Sequence, residues 1–221
     1  MVIYLHGFAS SSHSGKASYF ARRFRERGVE FHAPDLNLPD FSTLTTTRMV
    51  EQTRALMDRS AAPVTLIGSS LGAFVAVNAA ARWPDRVANL VLLAPALDLR
   101  DLGGEKIEEW KRTGQLPVFH FDYGRVVPVH YELYDDATRY NAFDALVGMP
   151  VLIFQGRRDT AVRPATVEAW AARRPNVELH MLDDDHQLGA SLDYMWDVTS
   201  RFLDSPPRSS SDPSSPGPGR G

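Results

Sequence analysis

The stretch Pro63-Val-Thr-Leu-Ile-Gly-Ser-Ser-Leu-Gly72, continued by Ala73-Phe-Val-Ala-Val-Asn-Ala-Ala-Ala81, changes character in its middle. Up to Ile67 it is a short apolar run of the kind that is buried on both faces of a sheet. From Leu71 it is alanine-rich and favours helix. Between the two stands G-x-S-x-G, as Gly68-Ser69-Ser70-Leu71-Gly72. The pentapeptide alone is a weak signal; in a strand–turn–helix setting it is the pattern of a nucleophile elbow. Such a turn must lift a serine clear of the sheet, and Gly68 and Gly72 omit the β-carbons that would collide there. The register makes Ser70 the candidate nucleophile and leaves Ser69 as an intervening position. A helix starting behind Ser70 aims backbone N–H groups and its positive end at developing negative charge. The plainer reading of the same residues is an ordinary Gly-Ser turn.

On either side of this stretch the chain alternates between two periods. Short apolar runs occur at Val2–Leu5, Val29–Ala33, Val64–Ile67, Val87–Ala94, Val151–Phe154 and Val177–Leu182. Amphipathic stretches lie at Lys16–Arg27, Leu44–Arg59, Leu71–Arg82, Pro164–Arg174 and Ala190–Leu203. Strands separated by helices predict right-handed crossovers and a parallel sheet. Pro164 at a helix start and Gly28 just after a helix are the expected punctuation. One interval breaks the rhythm: Pro95 to Met149, 55 residues, rich in aromatics from Trp110 to Tyr140. A crossover needs only about a dozen residues or slightly more, and a long excursion of this kind is commonly a lid or binding loop. A structural excursion whose aromatics bury themselves is the alternative. The expected organisation is one domain over 1–204, with the insertion at about 95–149. Ser205 to Gly221, with six Ser, five Pro and three Gly, is expected to be a disordered tail.

A serine hydroxyl is a weak nucleophile and needs a base. Of seven histidines, His186 lies in Asp183-Asp-Asp-His-Gln187, after the last apolar run and before the last amphipathic one. That places it at the carboxyl end of a strand, where sites of open α/β sheets assemble. His180 lies within the strand pattern and reads as a packed or edge residue. The base needs a carboxylate to fix its tautomer. Asp159, in Gln155-Gly-Arg-Arg-Asp-Thr-Ala-Val-Arg-Pro164, follows the fifth run. Asp183, Asp184 and Asp185 are rivals, but they sit too near His186 in sequence to reach its far nitrogen easily, and read as a solvated acidic turn. The chain order Ser70, Asp159, His186 is the one that α/β-hydrolases use. Oxyanion donors are expected from the N–H groups of Phe8, after the His6-Gly7 turn, and of Leu71. His6 is expected to brace that loop. Ser10, Ser11, Ser12 and Ser14 either line the mouth of a site or serve as linker and helix cap.

The opening Ile3-Tyr-Leu-His-Gly-Phe-Ala-Ser-Ser-Ser-His-Ser-Gly-Lys-Ala17, joined to Ile67-Gly-Ser-Ser-Leu-Gly72, resembles the α/β-hydrolase superfamily, and within it the small bacterial YqiA-like esterases. The resemblance runs from about Met1 to Leu203. It implies a three-layer α/β fold whose mainly parallel six-stranded sheet has the order 2-1-3-4-5-6, without the superfamily's two leading antiparallel strands. It also implies a serine hydrolase that cleaves small-molecule carboxylic esters or thioesters with no cofactor and no metal. A serine peptidase or other acyl hydrolase would use the same three residues, and a non-catalytic binding module would share the fold. A haloalkane dehalogenase would place an aspartate at position 70.

Composition narrows the field from another side. With 24 basic and 27 acidic residues the formal net charge is −3, so there is no basic footprint for nucleic acid. Zero cysteines exclude a disulfide framework, a thiolate zinc site and a cysteine nucleophile. The longest strongly apolar stretch, Val87 to Leu97, is interrupted by Asn89 and Pro95 and is too short to span a bilayer. The sequence opens directly on an apolar run with no basic leader segment, which suggests a cytoplasmic location.

Overall fold

The computed structural model of the 221-residue chain describes residues 1–98 and 104–205. Eight strands and seven α-helices follow one another in the described residues: β1 (Val2–Leu5), α1 (Gly15–Glu26), β2 (Phe31–His32), α2 (Thr46–Met57), β3 (Val64–Ser69), α3 (Leu71–Arg82), β4 (Val87–Leu93), α4 (Gly104–Thr113), β5 (Gln115–His120), β6 (Arg125–His130), α5 (Glu132–Ala137), β7 (Val151–Gly156), α6 (Pro164–Ala172), β8 (Val177–Leu182) and α7 (Leu192–Asp204). Six strands form one parallel sheet in the order β2-β1-β3-β4-β7-β8. Counting the sheet strands alone, this is the expected 2-1-3-4-5-6.

The sheet is covered on both faces, and residue alternation decides which side chain goes where. Ile3, Leu5, Leu66, Leu90, Leu92 and Ile153 join the core formed with α2, α3 and α6. Val2, Tyr4, Ile67, Val91, Leu93 and Phe154 point the other way, into a core closed by α1 and α7. Helix α1 shows the logic on a small scale. Ser14 caps it by accepting the Ala17 N–H at 3.3 Å, and Ala17, Phe20 and Phe24 repeat at helical spacing on its buried face. Phe24 meets Trp196 of α7 edge to face, with ring centroids 5.0 Å apart. Each such buried aromatic stabilises the fold by about 2–3 kcal/mol through the apolar area it removes from water. Helix α3 is buried from Leu71 to Ala80, which explains its alanine content: small side chains let it lie close to β3.

The interval between β4 and β7 carries more regular structure than its sequence suggests. Strands β5 and β6 form an antiparallel hairpin separate from the main sheet. Its inner face, with Val127 and Val129, packs into the core shared with α3. The Trp110 indole of α4 donates to the Val129 carbonyl at 2.9 Å. The aromatics divide: Trp110 is buried, while Phe119, Phe121 and Tyr123 are exposed. Of the stretch from Ser205 to Gly221, expected to be a disordered tail, Ser205 caps the end of α7 with its N–H donating to the Arg201 carbonyl at 3.1 Å, and residues 206–221 lie outside the described residues. Among the described residues no helix is long and apolar enough to cross a membrane.

Candidate active site

Because the sheet is parallel, the carboxyl ends of β1, β3, β7 and β8 open onto one edge, and each contributes a loop to the same place. Ser70 directly follows β3. It holds φ 52° and ψ −115°, a conformation that residues with a β-carbon adopt only under strain. Neighbouring backbone fixes it there: the Ser70 N–H donates to the Leu93 carbonyl at 2.9 Å, and the Ser70 carbonyl accepts from Ala73 and Ala96. The glycines on either side are required sterically. A β-carbon at Gly72 would lie 2.1 Å from the Leu5 carbonyl oxygen, and one at Gly68 would lie 2.5 Å from the Ala73 Cα.

Asp159 stands in the loop after β7 and is nearly buried, 6 % exposed. One carboxylate oxygen accepts the Ala161 and Val162 N–H groups at 2.9 and 2.8 Å. The other accepts from Gln155 Nε2 at 3.0 Å and pairs with His186 Nδ1 at 2.8 Å. Burial alone would raise its pKa, but these donors, His186 foremost, outweigh burial and hold the carboxyl below the usual carboxylate range. A carboxylate on Nδ1 places the imidazole proton there and leaves Nε2 as an acceptor. His186 Nε2 lies 3.1 Å from Ser70 Oγ, so the hydroxyl donates to it. The three side chains, 89 and 27 residues apart along the chain, thus form one line of hydrogen bonds.

The remaining expected residues surround this line. His6 is buried. Its Nδ1 donates to the Gly7 carbonyl at 2.9 Å, and its Nε2 accepts the Leu36 N–H at 2.9 Å, so it braces the loop after β1. Burial pushes its imidazole below the ordinary histidine pKa, against the opposing pull of Gly7 and Asp35. Gly7 runs close against the nucleophile, since a β-carbon there would lie 3.3 Å from Ser70 Cβ. Phe8 follows, and Ala9 holds a positive φ of 53°. Leu71 is the first residue of α3, so its N–H is one of those with no acceptor inside the helix. Phe8 and Leu71 both line the cavity that Ser70 and His186 enter, which has a volume of about 940 Å3. Ser10, Ser11 and Ser14 line it as well, while Ser12 does not. His180 lies on β8 and pairs with Glu178 and Tyr194, away from the line of three.

One reading is corrected. The Asp183–Asp185 segment is not uniformly solvated: Asp184 is buried and accepts the Asp185 and Ala190 N–H groups and the Ser191 hydroxyl. It organises the turn that carries His186. Two supporting residues carried no recognisable sequence signal. Gly156 lets that turn approach β7, since a β-carbon there would lie 2.5 Å from the Asp185 carbonyl oxygen. Gln155, fully buried, reaches Asp159 from the strand. Among the described residues no group of three or more His, Asp or Glu side chains is arranged to hold a metal ion.

A model of the uncharacterised protein family UPF0227 matches residues 1–203. No curated protein matches the sequence. Solved structures with the same architecture include α/β-hydrolase domain-containing protein 10 from mouse, at 21 % identity and TM-score 0.77, over 92 % of this chain and 89 % of that one. Est1E from Butyrivibrio proteoclasticus is 22 % identical with TM-score 0.72, over 91 % and 86 %. A monoacylglycerol lipase from Paleococcus ferrophilus is 15 % identical with TM-score 0.73, over 91 % and 93 %. At these identities the likeness concerns the fold. The chain therefore belongs to the UPF0227 family and has the α/β-hydrolase fold.

Proposed function

We propose that the protein is a serine hydrolase that cleaves small-molecule carboxylic esters or thioesters through an acyl-enzyme. The observation that carries this reading is the hydrogen-bonded line Ser70–His186–Asp159 at the wall of an open cavity. Ser70 Oγ attacks the acyl carbonyl while His186 Nε2 takes its proton, and Asp159 holds the imidazole in the right tautomer and stabilises its charged form. The backbone N–H groups of Phe8 and Leu71 are the proposed oxyanion donors; such a donor is worth about 3–4 kcal/mol of barrier. Water then attacks the acyl-enzyme with His186 as base, which releases the acid. The acyl group lies against the apolar side of the cavity, formed by Leu71, Trp110, Leu116 and Leu133. Likeness in fold to a monoacylglycerol lipase is consistent with ester chemistry.

The test is hydrolysis of p-nitrophenyl butyrate by the wild type and by Ser70→Ala, with the fold of both checked by circular dichroism. The reading predicts turnover that falls at least about a thousandfold in the folded variant. Undiminished turnover in Ser70→Ala would remove Ser70 from the mechanism.

A further inference from the structure

Among the described residues, Lys16 is the one Lys or Arg side chain that lines the cavity entered by Ser70 and His186. Several observations make its position unusual. It is the second residue of α1, a helix whose first turn contains no acidic residue, so the cation sits at the positive end of the helix dipole. It is partly buried. Its ammonium has three donors and, among the described residues, makes one hydrogen bond, to the Gln187 carbonyl at 2.7 Å. The neighbouring carboxylates are engaged elsewhere: Asp159 with His186 and backbone, Asp184 with Ala190 and Ser191, Asp185 with the Gln187 N–H. Among the described residues Lys16 has no ion-pair partner. Burial, partly offset by the fields of Asp185, Asp184 and Asp159, lowers its pKa to about 8, so it remains mostly charged at neutral pH. A cation kept where helix dipole and desolvation both oppose it, and facing a cavity, is a local conflict of the kind that marks a functional position.

The side of the cavity on which it stands identifies what it meets. When the tetrahedral intermediate collapses, the leaving oxygen or sulfur takes the proton from His186 Nε2. The leaving group therefore lies on the His186 side, and Lys16 is bonded to the residue next to His186. We propose that Lys16 selects substrates whose leaving group carries an anion, a carboxylate or a phosphate-type group, and seats it at the mouth of the cavity beside Gln187. This rests on the serine hydrolase reading above. In the acylation step the Ser70 Oγ–acyl bond forms and the bond to the leaving oxygen or sulfur breaks. The proton lost by Ser70 passes through His186 to the leaving atom, so the alcohol or thiol departs neutral at that atom with its remote anion still held by Lys16. Among the described residues the other Asp, Glu, Lys or Arg at the cavity wall is Asp122, which acts on His6 and His120 and is not among the charges that shift Lys16.

The experiment compares three butyrate esters of matched shape, made from 4-hydroxybenzamide, 4-hydroxybenzoate and 4-hydroxyphenylphosphonate. The readout is the ratio of kcat/KM for each anionic ester to that for the neutral amide ester. The wild type is expected to favour at least one anionic ester by about tenfold, the worth of one charge-assisted hydrogen bond. Which ester gains distinguishes a carboxylate from a phosphate-type ligand. In Lys16→Met the ratio falls to about 1, and in Lys16→Arg, which keeps the charge, it stays above 1. A purely structural Lys16, holding the His186 turn through Gln187, would lower all three esters together and keep the ratio; that result overturns the proposal, as does a wild-type ratio near 1. If no ester turns over while a fluorophosphonate still labels Ser70, the substrate class is wrong. If labelling fails as well, the hydrolase reading beneath it has failed.

Discussion

Ser70 has its hydroxyl at the centre of the site and its backbone in a region that glycine enters without cost. The strain follows from the turn, because β3 must reverse into α3 within one residue while Gly68 and Gly72 let the two backbones close up. Removing the hydroxyl and removing the β-carbon are therefore separable. Ser70→Ala keeps the strain, whereas Ser70→Gly releases it, so the glycine variant is expected to be more stable than the alanine variant by about 1 kcal/mol, with both inactive. Urea denaturation of the two measures this, and equal midpoints would mean that the turn is not strained. At this scale much of the candidate site is readable from the sequence. Ser70 is marked by its flanking glycines, and Asp159 and His186 are marked by their places after apolar runs. Asp184, Gly156 and Lys16 are not, because their roles depend on which turns meet across the sheet, and nothing in a local window records that.

The elements divide in the same way. The strands of the main sheet are legible because burial on both faces makes them apolar throughout, as in Val151–Gly156. The second strand is shorter than its apolar run: pairing reaches only Phe31 and His32 at the sheet edge. The β5–β6 hairpin is hidden by prolines in both strands, Pro117 opposite Pro128, and by its exposed Phe119 and Val126. As a two-stranded ribbon outside the main sheet it tolerates prolines that a central strand would not. Its tip is fastened over the loop after β1. The Phe121 N–H donates to the Ala9 carbonyl at 3.2 Å, and the buried His120 ring stacks on Tyr123 and meets Phe41 edge to face at 4.6 Å. His120→Ala is expected to loosen this tip, speeding amide hydrogen exchange across residues 115–130 by about tenfold or more while β1 and β3 keep their protection. Unchanged exchange at the hairpin would show that His120 does not fasten it.

For the whole molecule, His6 and His120 make stability depend on pH. Both are buried, and burial lowers both imidazoles from the ordinary value. The unfolded chain thus binds protons near pH 6.5 that the folded chain resists. Their contribution is complete above that pH and is lost as pH falls below it, at up to about 1.4 kcal/mol per pH unit for each group. Unfolding free energy is expected to be lower at pH 5.5 than at pH 7.5, with a smaller difference in His120→Phe. A difference that is equal in the variant would exclude His120 as a source. The depressed Asp159 carboxyl works in a lower window: its contribution stands above the usual carboxylate pKa and disappears only as pH falls through the folded value.

The same molecule-wide arrangement, four parallel strands delivering their loops to one edge, underlies the claim that Ser70 is a nucleophile activated by His186. The most direct measurement is reaction of the full chain with a fluorophosphonate, with the adduct located by peptide mass spectrometry. The account predicts one adduct on Ser70, absent in Ser70→Ala and formed far more slowly in His186→Ala. An unmodified Ser70 in folded protein, or an adduct on Ser69 instead, would contradict it.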